Sequence, residues 1–423
     1  MTEKNFVLKG DLCWSDESRS IQTISDGYLV CIDGKSAGVF PSLPECYAGL
    51  RLVDYSPYLI IPGLVDLHIH APQFAFRGLG MDLQLLDWLE RRAFPEEGKY
   101  ANLEYTRKAY GLFVEHIRRG PSTRLVIYAT VHSEATLLLM EMLEKSGLVT
   151  MVGKINMDRN SPDYLREESA ALSLAATEKW LKGCNFKNTF PILTPRFIPS
   201  CSDELMRGLA GIQKKFGLPV QSHLSENQQE VEWVGKLCPQ SAGYGAAYRD
   251  YDLFGGSVPT IMAHCVWSDK EEIALMAERQ VFLAHCPQSN TNLSSGIAPV
   301  RRFLDAGVPA GLGSDIAGGV HDSIFRTMAD TVQVSKLRQT LLKTAEKPIK
   351  LEEAFYLGTA GGGSFFGKCG SFTAGNDFDV LVMDDRNLAA PFELSIQDRL
   401  DRVVYLSDER NIRAKYVKGN ILF

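Results

Sequence analysis

The sequence predicts an α/β fold: a (β/α)8 TIM-type barrel with a small β-sandwich domain formed by both chain ends. Three observations lead there. From about Pro62 to Gly370, short apolar runs alternate with longer helix-compatible segments. The runs number eight, as a barrel requires. The stretches on either side are rich in strand and turn residues, so they read as one accessory unit. The expected division is 1–62 with 372–423 for the small domain and 63–371 for the barrel.

Taken in order, NFVLKGDLCW and YLVCIDG are strand-like, and Asp33-Gly34 suits a hairpin turn. The eight barrel runs are 63–70, 123–132, 148–158, 189–197, 219–226, 260–268, 281–290 and 309–315. Segments between them, such as EATLLLMEMLEKSG and DELMRGLAGIQKKFG, carry apolar residues at helical spacing. Near the end, FDVLVMD, DRVVYL and KYVKGNILF read as strands, with Gly419-Asn420 as a turn.

Composition narrows the class. Hydrophobic residues make up 45% and charged residues 23% of the 423 positions. A sizeable core is therefore available, and a disordered chain, a collagen and a coiled coil are excluded. A net charge of −6 argues against a sequence-independent grip on nucleic acid. No apolar stretch approaches the ~20 residues of a membrane span, and MTEKNFVLKG lacks a signal core. The nine cysteines are scattered with no C-x-x-C, which fits free thiols in a reducing cytoplasm.

The chemistry follows the histidines. Five of the eight, His68, His70, His223, His264 and His285, fall near the ends of proposed barrel strands. Active sites of such barrels lie at those ends. His68 and His70 are two apart, so on a strand they share one face. Two buried histidines satisfied by carbonyls would give the same pattern. A third imidazole at His223 and a carboxylate at Asp315 complete a set suited to Zn2+, with Fe2+ as the second fit, and one place left for water. Such an ion lowers the pKa of its water toward ~7. Asp315 could equally cap the following helix.

Glu226, three residues after His223, suits proton transfer. His264 suits a hydrogen bond to the water, and His285 a hydrogen bond to Asp315 or to its own strand end. His116 reads as structural, while His132, after the second strand, and His321, after the eighth, could stand in an outer ring around the ligands. Lys154, on the third run, reads as structural, which favours one metal rather than two.

PGLVDLHIH, SHLSE, AHCVWS, AHCPQSN and GLGSD, in that order along the barrel, resemble the successive metal-site motifs of the amidohydrolase superfamily. The segment TAGGGSFFGKCGSFTAGNDFDVLVMD resembles the return to its small β domain, with Asn376 and Phe378 where Lys and Ala are usual. HAPQ, TPRF and SDIAGG are similar to the guanine-deaminating branch of that superfamily. The resemblance implies that His68, His70, His223 and Asp315 hold one Zn2+ per subunit, and that Gln73, Arg196, Phe197 and Glu226 line a purine site. It also implies a homodimer.

The residues fit that implication. Arg196 offers donors and no acceptor, which suits the O6 carbonyl of guanine and disfavours the amine of adenine. Gln73 offers both a donor and an acceptor, and Phe197 can pack on the ring. A salt bridge at the rim for Arg196, core packing for Phe197 and a plain loop position for Gln73 are the alternatives. The expected reaction converts guanine and water to xanthine and ammonia, with Glu226, His264 and Asp315 as catalytic groups acting on a metal-activated hydroxide. The same chemistry on another purine, a pterin or a triazine is the nearest alternative. A non-catalytic barrel would normally lack the four ligands. The cytidine-deaminase type, which pairs H-x-E with P-C-x-x-C, is excluded by the missing C-x-x-C.

Overall fold

The computed structural model describes residues 4–423. The chain opens with β1 (Phe6–Ser15), β2 (Ile21–Ile32), β3 (Lys35–Phe40) and β4 (Arg51–Pro62). Asp33 and Gly34 join β2 to β3 with φ of 53° and 78°. Two successive left-handed residues are what a tight hairpin needs, as the sequence led us to expect.

Each of the eight apolar runs then yields a barrel strand. They are β5 (Leu64–His70), β6 (Ser122–Tyr128), β7 (Val149–Gly153) with its extension β8 (Ile155–Asn156), and β9 (Thr189–Pro191) with β10 (Thr194–Pro195). The second half is β11 (Val220–Leu224), β12 (Thr260–His264), β13 (Phe282–His285) and β14 (Ala310–Leu312). Parallel pairing runs β5-β6-β7-β9 and β11-β12-β13-β14. Backbone bonds close the ring at both seams. Gln221 N–H donates to the Leu193 carbonyl at 2.9 Å, and Asp315 N–H donates to the His68 carbonyl at 2.8 Å.

All seven residues of β5 and of β6 are buried, as expected for parallel strands covered on both faces. Val65, Leu67, Val126, Ile192, Ile261, Ala263 and Ala284 fill the barrel interior. The register of β5 on β6 slips between Asp66 and Ile69. Such a bulge re-aims side chains. Val65 and Leu67 pack in the interior cluster below the slip, and the rings of His68 and His70 gather with those of Tyr128 and His223 above it.

The terminal strands, with β15 (Val380–Met383), β16 (Ile412–Val417) and β17 (Asn420–Ile421), form one seven-stranded sheet ordered β17-β16-β15-β4-β1-β2-β3. It curls until Phe6 on β1 meets Tyr416 on β16, with ring centroids 5.5 Å apart, and Phe378 at 5.3 Å. The packing is that of a sandwich, while the hydrogen bonding is continuous. Phe378, unusual for the superfamily pattern, fills this core.

Two expectations at the C-terminal end are corrected. DRVVYL is not a strand but the end of a helix, Ile396–Leu406. Ser395 caps it reciprocally with Asp398, and Leu400, Val403 and Val404 fall on one buried face. The final turn is Lys418-Gly419, with φ of 48° and 74°, and Asn420 already belongs to β17. Among the described residues, no helix is long and apolar enough to cross a membrane.

Candidate active site

The strand ends converge as the barrel geometry requires. His68 and His70 at the end of β5 place Nε2 3.2 and 3.4 Å from Asp315 Oδ1. His223 on β11 places Nε2 3.3 Å from His70 Nε2. His68, His70 and His223 each offer a ligand atom within 4.8 Å of the others. Four side chains from three strand ends far apart in sequence thus share one centre.

A divalent cation fits this centre. Among the described residues, His68 Nε2, which faces the shared centre, is buried with no hydrogen-bond donor or acceptor in bonding geometry, a costly state unless something else binds it. Burial, followed by the neighbouring imidazoles, keeps His70 and His223 well below the ordinary histidine range, and burial lowers His68 too. Neutral imidazoles carry the lone pairs a metal needs. Burial acts to raise Asp315, but His68, His264 and His70 outweigh it and hold the carboxyl below its usual range. Three nitrogens and one carboxylate oxygen suit a transition-metal ion such as zinc.

The surroundings orient the set. His223 Nδ1 lies 2.7 Å from the Arg196 carbonyl, which fixes a proton there and leaves Nε2 free toward the centre. Asp66 accepts the His68 and Ser314 N–H groups, both at 3.1 Å, and the Ser314 hydroxyl at 2.5 Å. It ties β5 to the residue before Asp315. The Tyr128 ring packs 4.5–5.0 Å from the rings of His70, His68 and His223. Ser225, His264 and Asp315 all have left-handed backbones, with φ of 48°, 72° and 48°. Such non-glycine conformations cost energy and gather where side chains must be aimed.

His264 bonds Asn290 Oδ1 through Nδ1 at 2.9 Å. Its Nε2 lies 3.6 Å from Glu226 Oε2 and 3.8 Å from Asp315 Oδ2. Burial, with Asp315 nearby, pushes the Glu226 carboxyl well above its ordinary range. Glu230 stands behind it, accepting the Glu226 N–H at 3.0 Å and the Tyr244 hydroxyl at 2.6 Å.

Gln73, Arg196, Phe197 and Glu226 line one cavity with His70, His223, His264 and Asp315, closed on its apolar side by Leu85, Trp88 and Leu293. Arg196 also makes a salt bridge, a two-pronged one to Glu97. The salt bridge is buried rather than at the rim, where the sequence alternative put it.

The hydrogen bond expected of His285 is not made. Neither ring nitrogen of His285 has a partner, and burial pushes its imidazole down to about 3. The strand end is held instead by the His285 carbonyl, which accepts the Gly313 N–H at 2.9 Å. His132 precedes the helix Ser133–Ser146 and His321 is exposed, so both lie away from the centre. His116 pairs with Asp322 at 2.9 Å, and Lys154 with Glu167 at 2.6 Å.

Sequence reasoning missed Asp66, Glu97, Tyr128, Glu230 and Asn290. Only Asn290 carried a signal, because it ends the AHCPQSN run in which attention fell on His285.

A model of the amidohydrolase family matches residues 59–422. The chain is 39% identical to guanine deaminase of Dictyostelium discoideum, over 87% of this chain and 83% of that protein. It is 33% identical to guanine deaminase of Escherichia coli, over 96% and 92%. The crystal structure of guanine deaminase from C. acetobutylicum, with bound guanine in the active site, superposes with a TM-score of 0.96 at 45% identity, covering 99% of this chain and 100% of that one.

Proposed function

Because the chain belongs to the amidohydrolase family, we propose that its barrel mouth hydrolyses guanine to xanthine and ammonia. One observation carries this reading. His70, His223 and Asp315 of the candidate metal centre line the same cavity as Arg196, Gln73, Phe197 and Glu226, and His68 completes the centre against Asp315. Similarity to guanine deaminases over most of the chain supports it.

His68, His70, His223 and Asp315 would hold one Zn2+ per chain. When bound, the ion supplies Lewis acidity and a water of pKa near ~7. The remaining work belongs to side chains. Arg196 and Gln73 grip O6 of guanine, and Phe197 packs on the ring, which directs C2 toward the centre. Protonated Glu226 gives its proton to N3, which makes C2 more electrophilic. Asp315 and His264 orient the attacking water and hold its proton. That proton passes to the exocyclic nitrogen, the C2–N bond breaks and ammonia leaves; the proton on the new C2 hydroxyl returns to Glu226, which leaves xanthine and restores the acid.

Residues 63–371 form the catalytic unit, and 1–62 with 372–423 the small domain. The cysteines are all free among the described residues, which supports a cytoplasmic setting. A homodimer is the assembly we expect, twofold pairs being the commonest; equilibrium sedimentation decides it.

Metal-loaded protein incubated with guanine will lose the guanine ultraviolet band and release xanthine and ammonia in equal amounts. Metal-replete protein that yields no xanthine overturns the reading.

A further inference from the structure

Glu97 makes no hydrogen bond to a candidate metal ligand and is not among the residues lining the cavity, yet it is 1% exposed and holds Gln73 and Arg196, two polar residues of the substrate wall. It sits on the short helix Phe94–Gly98. Its Oε2 accepts Arg196 Nη1 at 2.5 Å, and its Oε1 accepts Arg196 Nη2 at 3.0 Å and Gln73 Nε2 at 2.9 Å. We propose that Glu97 is a positioning residue that sets ring selectivity, turning Arg196 and Gln73 into a wall of hydrogen-bond donors.

The argument is one of bond inventory. A glutamine side chain offers an acceptor and two donors, and rotation by 180° exchanges them. Here one Gln73 N–H points at a carboxylate, and Oε1 accepts the Ala317 N–H at 3.0 Å. The flipped amide would set oxygen against carboxylate and N–H against N–H, so only one orientation survives. The remaining Gln73 N–H is left for a ligand. Arg196 has five N–H donors. Two go to Glu97, and among the described residues the other three meet no protein acceptor. The Phe94 ring lies 5.1 Å from the guanidinium carbon and limits its swing.

A wall so fixed welcomes a carbonyl and repels an exocyclic amine. Without Glu97, Gln73 could flip and present its oxygen, and the Arg196 fork would lose its bearing. Selectivity for the 6-oxo ring would then fall even though no residue touching the ring had changed. This inference rests on the guanine reading for the identity of the ring.

The test uses full-length, metal-loaded protein and two non-reacting ligands. Hypoxanthine has the 6-oxo group and purine lacks it; neither carries a 2-amino group. In E97Q, hypoxanthine binding weakens about 100-fold while purine binding changes less than about threefold. Guanine turnover in E97Q then loses more through KM than through kcat. E97D keeps the charge but is one methylene too short to serve both partners, and gives an intermediate loss. It also carries the test if E97Q does not fold. Equal losses for both ligands, or unchanged hypoxanthine binding, overturn the proposal. Wild-type protein that fails to turn over guanine overturns the deaminase reading instead, and the ligand pair still decides the role of Glu97.

Discussion

A buried carboxyl group whose hold on its proton is strengthened is a donor waiting for a basic ring nitrogen, and Glu226 is built as one. Its burial and the nearby Asp315 carboxylate raise it, and among the described residues a 3.4 Å contact from the Ser295 hydroxyl is its one side-chain hydrogen bond. Glu226→Gln preserves shape and removes the transferable proton. Metal content by elemental analysis should stay unchanged while kcat falls by about 10²–10⁴-fold; retained turnover would remove Glu226 from the chemistry. At this scale the sequence was readable wherever spacing implied geometry. His68 and His70 share a strand face, and Asp315 ends the eighth run. It was unreadable where partners are remote and ordinary. Glu97 is one acid in FPEEGK with no periodic context, and its partner Arg196 lies 99 residues away. Asp66 looks like any strand residue until Ser314 arrives beside it, 248 positions later.

Elements were readable by period and misread where two signals competed. Valines and a tyrosine made DRVVYL look like a strand, but the Ser395–Asp398 capping box outweighs that local preference. Ser395→Ala should lower stability by about 1 kcal/mol in denaturant titration and leave guanine turnover unchanged. The helix Gln228–Leu237 carries a pH response at its first turn. Burial, with Glu226 beside it, raises Glu230 to about 7. The unfolded carboxyl, near its ordinary value, releases its proton earlier, so the unfolded state binds fewer protons between about pH 4.5 and 7. Stability from this group is complete below that window and falls as pH rises through it, by about 3 kcal/mol in all. Glu230→Gln should flatten the slope of Tm against pH there; an unchanged slope would refute the assignment.

At the scale of the whole molecule, the barrel and the terminal sheet are clamped together by buried charge. Arg124 on β6 pairs with Asp379 at 2.6 Å and with Asp377 at 2.8 Å. Lys415 on β16 donates to the Gly120 and Ser122 carbonyls, both at 2.7 Å. Arg124→Met strands the Asp379 carboxylate and should cost about 3–5 kcal/mol, seen in denaturant titration. The metal centre adds a second global term, because an ion that binds only the folded barrel stabilises it by mass action. Dialysis against a chelator should abolish turnover and lower Tm, by the equivalent of about 4 kcal/mol for an ion held at a thousand times its Kd, and added Zn2+ should restore both. The eight-strand architecture was plain from the alternation of runs. The continuity of the seven-stranded sheet was not, because strand neighbours such as β4 and β15 meet only through pairing across the entire barrel.

That pairing has a consequence for how the protein is made. β4 ends at Pro62 and waits for Val380–Met383, and β16 follows only from Ile412. At about 5–20 residues per second of ribosomal synthesis, the nascent chain spends tens of seconds with the edge of β4 bare. Every barrel strand has emerged by then. All eight barrel strands are therefore synthesised before the amino-terminal strands find their last neighbours, and until then the edge of β4 offers unpaired backbone groups to any other strand.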